Sequence, residues 1–303
     1  MKIIVTGGTG FVGRPLVTRL LAAGRFVVLL TRDPLKSRVS DVQRLKAVQW
    51  DANNNGAWAS ELDGADAVIN LTGESVAAKR WSPAQKKKII ESRLSAAKAI
   101  VDAIGVSAKK PAVLVNASAV GYYGDVPDLE VTEKSPKGRG FLADTCERWE
   151  NEALRARTFG TRVVLARIGV VIDKDGGALR KFIPPFQFFA GGPLGSGKQW
   201  FPWVHREDVI EAILFCLKNP ALSGPVNVTA PEAVTMGEFC RALGRAMHRP
   251  SWAPVPAFAL RILLGEMSEM ILTGQKAVPA ALQKTGFMFK HPSLSETLAS
   301  VLK

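Results

Sequence analysis

MKIIVTGGTGFVGRPLVTRLLAAG, residues 1–24, decides how the rest of the chain is read. Lys2 to Thr6 is a short apolar run rich in β-branched residues, the pattern of a strand buried on both faces. Gly7, Gly8, Thr9, Gly10, Phe11, Val12 and Gly13 follow. Phe11, Val12, Leu16, Val17, Leu20 and Leu21 then recur at helical spacing until Gly24 stops the helix. A glycine loop between a first strand and a first helix is where a dinucleotide pyrophosphate can rest on the helix N-terminus. One glycine permits the tight turn, one lets the phosphates approach the backbone, and one lets the helix lie close to the strand. An ordinary glycine turn is the competing reading. The strand before, the helix after and a second strand ending at Thr31 favour an α/β fold, a Rossmann doubly wound parallel sheet, with Gly7, Thr9, Gly10, Phe11, Val12 and Gly13 at the cofactor.

The second strand, Phe26 to Thr31, runs into Arg32. A carboxylate here would bond a ribose 2′-hydroxyl and repel a 2′-phosphate, whereas an arginine binds that phosphate in a bidentate fashion. Thr31 and Arg32, with Lys36 and Arg38 close behind, therefore favour NADP(H) over NAD(H), and Asp33 beside Pro34 is the opposing signal. Ala47 to Trp50 is expected as a third strand, with Asp51 either accepting from the adenine amine or, as the first reading, opening a turn to Gly56. Ala65 to Leu71 is a fourth, after which Leu71, Thr72 and Gly73 pass behind the cofactor. Ser82 and Pro83 cap a long helix on which Arg93 either faces the pyrophosphate or forms a surface salt bridge. Pro111 to Asn116 is a fifth strand, and Ser118 follows it at the carboxyl edge of the sheet, where ligands bind in open α/β folds. Thr161 to Ala166 is a sixth, and the backbone up to Val171 borders the nicotinamide end.

The segment Thr6 to Gly13, with glycines at 7, 10 and 13, resembles the extended short-chain dehydrogenase/reductases, the group that includes nucleotide-sugar epimerases and dehydratases. Gly73-Glu74, Arg80-Trp81 and Ser92-Arg93 narrow the likeness to an atypical epimerase-family subgroup of nucleoside-diphosphate-sugar epimerase type. It continues through Ser118 to Gly124, Trp149-Glu150, Arg167 to Val171 and Gly191 to Asp208, and so covers nearly the whole chain. The resemblance implies an NADP-binding Rossmann domain and a C-terminal lobe, without supplying a reaction. In the wider superfamily a serine or threonine after the fifth strand bonds the reacting oxygen. A tyrosine then acts as acid or base, with a lysine four residues on to lower a pKa that is ordinarily near 10. This chain departs from that pattern: its tyrosines are Tyr122 and Tyr123, with Val126 and Pro127 four residues on. Ser118, Tyr122 and Tyr123 are the catalytic candidates. On the expected helix Phe141 to Arg157, Cys146 and Glu150 share a face, and either can assist proton transfer, although a small buried role is the first reading of Cys146.

Glu74, Arg80, Trp81, Gln199 and Trp203 are placed at the substrate. Gly192 to Lys198 imitates a phosphate-binding loop, but Gln199 stands where Ser or Thr is needed, and Trp200, Phe201, Pro202 and Trp203 follow in place of a helix. That loop is either a substrate lid or a segment pinned by its own aromatics. His205 is expected to make structural hydrogen bonds, with Asp208 opening a helix Val209 to Leu217. Pro225 to Thr229 is a late strand, and from Thr235 the chain reads as helical. The expected division is a cofactor domain of residues 1–172 plus 205–230, and a smaller, discontinuous C-terminal cap lobe of 173–204 plus 231–303.

The 303 residues are 47% hydrophobic and 22% charged, enough for one large domain and a lobe. No apolar run reaches a membrane span, and the chain enters its first strand without a leader pattern, so neither a membrane partner nor a signal peptide is expected. Cys146, Cys216 and Cys240 are odd in number and widely spaced, which fits a reducing cytoplasm. No metal is expected, since His205, His248 and His291 show no ligand spacing with them. The net charge of +13 is dispersed apart from Lys86-Lys87-Lys88, so a solvated basic surface around a polyanionic cofactor is expected before nucleic acid. The functional expectation is an NADP(H)-binding oxidoreductase or epimerase-like enzyme for a small polar substrate, such as a nucleotide sugar. The alternative is a non-catalytic regulator or scaffold that senses NADP(H).

Overall fold

The computed structural model describes residues 1–36, 43–52 and 56–302. In chain order its elements are β1 (Lys2–Thr6), α1 (Gly13–Ala22), β2 (Phe26–Thr31), β3 (Leu45–Gln49), β4 (Ala67–Asn70), α2 (Pro83–Val106), β5 (Val113–Ala119), β6 (Val126–Val131), α3 (Phe141–Leu154), β7 (Arg162–Ile168), β8 (Val170–Asp173), β9 (Gly176–Gly177), α4 (Leu179–Gln187), β10 (Trp200–Phe201), β11 (Trp203–His205), α5 (Arg206–Lys218), β12 (Gly224–Val228), β13 (Val234–Thr235), α6 (Met236–Met247), α7 (Ala257–Leu264), α8 (Glu269–Leu272), β14 (Gln275–Ala277), α9 (Ala280–Lys284) and α10 (Leu294–Val301).

Seven strands form a parallel sheet in the order β12-β7-β5-β4-β1-β2-β3. The strands are apolar because both faces are covered. Leu16, Val17 and Leu20 of α1 pack one face together with Val209, Ile213 and Cys216 of α5. Ile100 and Ile104 of α2 and Ala153 of α3 pack the other. This is the expected doubly wound fold, and the strand order reverses between β1 and β4, where ligands bind in such sheets. Ser82 caps α2 by accepting from the Gln85 N–H at 3.2 Å, with Pro83 in the first turn, a device worth about 1 kcal/mol. A smaller core of Phe186, Phe201, Trp203, Phe239, Leu294 and Leu298 gathers α4, β10, β11, α6 and α10 beside the sheet.

Several boundaries differ from expectation. The fifth strand runs on to Ala119, which takes Ser118 into β5. The helix α3 stops at Leu154 and tightens into a 3-10 turn, Arg155–Phe159. Helix α5 begins at Arg206 with His205 as its cap, so Asp208 lies inside it. The region after Thr235 is not wholly helical, since β14 pairs in parallel with β6. Short strands of this kind are set by tertiary partners and carry little local signal.

Candidate functional site

The carboxyl ends of β1, β4 and β5 carry a buried polar ladder inside an apolar sheet. Thr6 Oγ1 donates to Asn70 Oδ1 at 2.7 Å, and Asn70 Nδ2 donates to Asn116 Oδ1 at 2.6 Å. Asn70 Oδ1 also accepts the Thr72 N–H at 3.1 Å, which turns the chain after β4. Above the ladder sits the glycine loop. Gly7 has φ +67°, and a Cβ there would lie 2.6 Å from the Leu71 carbonyl oxygen. A Cβ at Gly13 would lie 2.2 Å from the Gly7 carbonyl oxygen. These two glycines are demanded by the fold itself. Gly10 differs: it is exposed, its φ is not left-handed, and a Cβ would meet only the Gly7 carbonyl oxygen at 3.2 Å. The Gly10 N–H donates to that same carbonyl at 3.0 Å, which holds the turn. Close by, the Thr72 hydroxyl is buried without a hydrogen-bond partner. A buried hydroxyl left alone costs roughly 1–3 kcal/mol, so an oxygen-rich ligand at this spot relieves a cost the protein carries.

The other expected cofactor residues lie around this loop. Val12 packs into the sheet core, and Phe11 lies beneath the Arg206 guanidinium at 4.8 Å, against Gly176 and Gly177. Val171 pairs with Val204 across β8 and β11. The Arg32 side chain, just past β2, is exposed and has no ion-pair partner among the described residues. Asp33 accepts the Leu35 N–H at 3.2 Å and so caps the turn that follows; Arg38 lies outside the described residues. Arg93 Nη1 donates to the carbonyls of Glu74 and Ile89, both at 2.9 Å. Its guanidinium packs against Gly73 and over the Trp149 ring, and burial lowers its pKa from the usual value. It therefore faces the site, in a structural setting neither of the two expectations described.

Beyond β5 lies a buried network that the sequence did not single out as one. Ser118 Oγ donates to Glu150 Oε1 at 2.6 Å. Arg167 Nε and Nη2 donate to the two oxygens of Glu150 at 2.8 and 2.7 Å, a bidentate pair. Arg167 Nη1 reaches the Tyr123 hydroxyl at 3.0 Å, which itself donates to Asn227 Oδ1 at 2.7 Å. The guanidinium stands 3.4 Å from the centre of the Tyr122 ring. Burial alone would lower the Arg167 pKa, but the Glu150 bonds outweigh it and raise it. Burial pushes the Tyr123 hydroxyl up to about 12, against the opposing effect of Arg167. Burial, then Glu150, pushes the Cys146 thiol up to about 11 beside Ser118 and the Ala119 backbone. The signal for this network was available: Ser118, Glu150 and Arg167 are polar residues in otherwise apolar strand and helix faces.

Four site expectations are corrected. Tyr123 is buried with its hydroxyl shared between Arg167 and Asn227, so it is a structural tyrosine. Trp81 is buried against Phe141, its indole N–H held by the Val76 carbonyl at 2.9 Å. Gln199 donates to the carbonyls of Leu194 and Ile271, both at 2.8 Å, and accepts from Ser196. Trp203 is 1% exposed in the lobe core and donates to the Glu232 carbonyl at 2.9 Å. The loop between Gly192 and Trp203 is thus pinned by its own aromatics. Glu74 and Arg80 stay nearer the surface: Glu74 is half-buried and bonds Gln85, while exposed Arg80 reaches the Ile262 carbonyl at 3.1 Å.

His205, Glu207 and His291 bring possible metal-ligating atoms within 4.8 Å of one another, a grouping invisible to spacing. Two of those atoms already bond, His291 Nε2 lying 3.1 Å from Glu207 Oε2, and His205 Nδ1 accepts the Glu207 backbone N–H at 3.3 Å. The arrangement caps α5 and docks the 290–291 segment, whose N–H groups Asp208 accepts at 2.8 and 3.0 Å. An open depression of about 630 Å³ lies at the opposite, amino end of the sheet beside Met1, Asp66 and Arg162. It lacks the glycine loop and the polar network, so the site is placed at the carboxyl edge.

Residues 3–229 match the family model described as the NAD dependent epimerase/dehydratase family, and residues 255–301 match a domain of unknown function, DUF1731. The chain is 44% identical to the epimerase family protein SDR39U1 homolog, chloroplastic, of Arabidopsis thaliana over 100% of this chain and 87% of that protein. It is 39% identical to the epimerase family protein YfhF of Bacillus subtilis over 100% of this chain and 98% of that one. A crystal structure of the human epimerase family protein SDR39U1 (isoform 2) with NADPH superposes with a TM-score of 0.90 at 32% identity, covering 99% of both chains. The chain belongs to the NAD dependent epimerase/dehydratase family, within the extended short-chain dehydrogenase/reductase type that its motifs resemble.

Proposed function

We propose that this member of the epimerase/dehydratase family binds NADP(H) over the carboxyl ends of β1, β2 and β4 and acts as an oxidoreductase or epimerase-like enzyme on a small polar substrate. The observation that carries the reading is the open face of Gly10 beside the orphaned Thr72 hydroxyl. Gly7 and Gly13 set the loop, Thr9 and Gly10 face the diphosphate, and Thr72 and Gly73 border it. Arg93 supports that wall from behind. The unpaired Arg32 receives the 2′-phosphate, and the human relative crystallised with NADPH supports the same preference. Residues 1–172 with 205–230 hold the cofactor in this reading, and 173–204 with 231–303 close the substrate side. Three free, buried cysteines fit a cytoplasmic setting.

When bound, the nicotinamide supplies a hydride acceptor or donor. Ser118 gives its proton to Glu150, so its oxygen lone pairs are left to accept a substrate hydroxyl. As a proton moves onto Ser118 Oγ, the serine's own proton passes to Glu150, and Arg167 keeps that carboxylate in place. The Ser118–Glu150 pair thereby stands in for the missing tyrosine and lysine. Tyr122, half-buried over Arg167, orients the substrate, and Glu74 and Arg80 offer one anionic and one cationic group to a molecule such as a nucleotide sugar.

A regulator that senses NADP(H) without turnover is the second reading. It is favoured by the mutual satisfaction of the network, in which Tyr123 and Cys146 are pushed to about 12 and 11, away from neutral pH. Titration with NADPH, with Gly10→Glu as control, tests the cofactor site. Interconversion of any metabolite pair that Ser118→Ala abolishes supports the enzyme. Tight NADPH binding without turnover across varied extracts supports the sensor.

A further inference from the structure

Six large apolar side chains are exposed on one part of the C-terminal lobe: Phe188 at 81%, Phe189 at 54%, Trp252 at 69%, Phe258 at 65%, Ile262 at 73% and Leu263 at 68%. Backbone contacts tie together the segments that carry them. The Trp252 indole donates to the Phe189 carbonyl at 2.9 Å, Arg249 lies 4.5 Å over the Phe189 ring, and the Val255 N–H donates to the Pro193 carbonyl at 3.0 Å, just before α7. Helix α7 divides its faces cleanly. Leu260 and Leu264 pack inward, whereas Phe258, Arg261 and Ile262, spaced three and four apart, point to solvent. Patches of this kind on a folded protein mark contact with a partner.

The charge carried by these segments says which partner. Residues 176–206 and 239–265, which carry all six side chains, contain no Asp or Glu. They contain Arg180, Arg206, Arg241, Arg245, Arg249 and Arg261; Arg206 is paired with Asp173 and Asp175, and Arg180, Arg241, Arg245 and Arg261 are exposed. Glu266, just beyond α7, is paired with Lys86. Exposed Glu238 and Glu269 stand just outside these stretches, Glu238 beside Arg241. Within them, aromatic and aliphatic side chains interleaved with arginines suit the headgroup boundary of an anionic bilayer: the rings enter the acyl boundary while the guanidinium groups stay at the phosphates.

We propose that the C-terminal lobe docks peripherally on an anionic phospholipid surface through Phe188, Phe189, Trp252, Phe258, Ile262 and Leu263. No helix among the described residues is long and apolar enough to cross a membrane, so the chain lies on the surface and does not span it. The expectation of no membrane partner rested on the lack of a span, which does not bear on this mode. Docking also reaches the substrate side, because Arg80 holds the Ile262 carbonyl at the end of α7.

The test is co-sedimentation of the full chain with phosphatidylcholine vesicles, with and without phosphatidylglycerol. Binding is expected to the anionic vesicles, with little to phosphatidylcholine alone. Arg245→Ala weakens it about fivefold. Ile262→Glu with Leu263→Glu weakens it more than about tenfold. Both positions are exposed, so an unchanged circular dichroism spectrum accompanies the loss. Equal binding to the two vesicle types, or full binding by the double variant, overturns the proposal. So does a wild-type dimer that the double variant dissociates, since a second copy then covers the face.

Discussion

Replacing Glu150 with Gln removes one charge from the centre of the molecule while keeping its shape. The side chains of Glu150 and Arg167 are 5% and 4% exposed. Glu150 accepts from Ser118 Oγ at 2.6 Å, Arg167 Nε at 2.8 Å and Arg167 Nη2 at 2.7 Å. Glutamine keeps one acceptor oxygen and turns an amide N–H₂ towards guanidinium donors. Arg167 cannot swing to water, because its Nη1 is held by Tyr123 and its plane by the Tyr122 ring. A buried cation left without its partner costs about 3–5 kcal/mol, whereas an exposed pair such as Lys87 with Glu91 is worth about 0–1 kcal/mol. Against a typical total of about 5–15 kcal/mol, Glu150→Gln removes a large share. Urea unfolding at neutral pH, followed by tryptophan fluorescence, reads this as a lower midpoint at unchanged m. Adding Arg167→Met removes the stranded charge, so the double variant regains part of the loss. A single-variant loss below about 1 kcal/mol, or strict additivity in the double, would refute the argument that the Glu150–Arg167 pair is shut away from solvent.

Gly13→Ala should destabilise the fold severely, because its Cβ would stand 2.2 Å from the Gly7 carbonyl; Gly10→Ala, at 3.2 Å from the same oxygen, should lower the melting temperature far less, and a similar drop in both would contradict the distinction between them. Arg32→Ala should shift the NADPH-to-NADH affinity ratio down roughly tenfold or more by titration, with NADH binding kept; an unchanged ratio would move the 2′-phosphate site elsewhere. His205 is held at about 4, below its ordinary 6.5, by burial and then by His291, against Asp173 and Glu207. The unfolded chain therefore takes up this proton first. The associated stability, at most about 3 kcal/mol, is present above pH 6.5 and lost as pH falls towards 4. His205→Asn, which keeps a capping side chain, should flatten that part of the urea midpoint against pH, and an identical slope in the variant would assign it to other groups.

Residues 1–31 pointed to the fold, because a buried parallel strand, a glycine turn, an amphipathic helix and a second strand are local patterns and their order admits few topologies. The glycine loop and Arg32 could be located for the same reason: backbone approach and charge at a strand end are properties of short segments. The expected roles of Trp81, Gln199 and Trp203 failed because a polar or aromatic side chain in a loop looks the same whether it faces a cleft or a core. Tertiary structure closed their N–H groups onto the carbonyls of Val76, Leu194, Ile271 and Glu232. The tyrosine–lysine pair could be seen to be missing in the sequence, but what occupies its surroundings could not. Ser118, Glu150 and Arg167 come from β5, α3 and β7, and only the packing of α3 on neighbouring parallel strands brings their charges to hydrogen-bonding distance. The acid-free stretches 176–206 and 239–265 were likewise plain in the sequence, and only the fold left their rings exposed and joined Trp252 to the Phe189 backbone. Local pattern fixes backbone conformation over a few residues, whereas the partner of a buried polar group is chosen by whichever distant segment the sheet brings beside it.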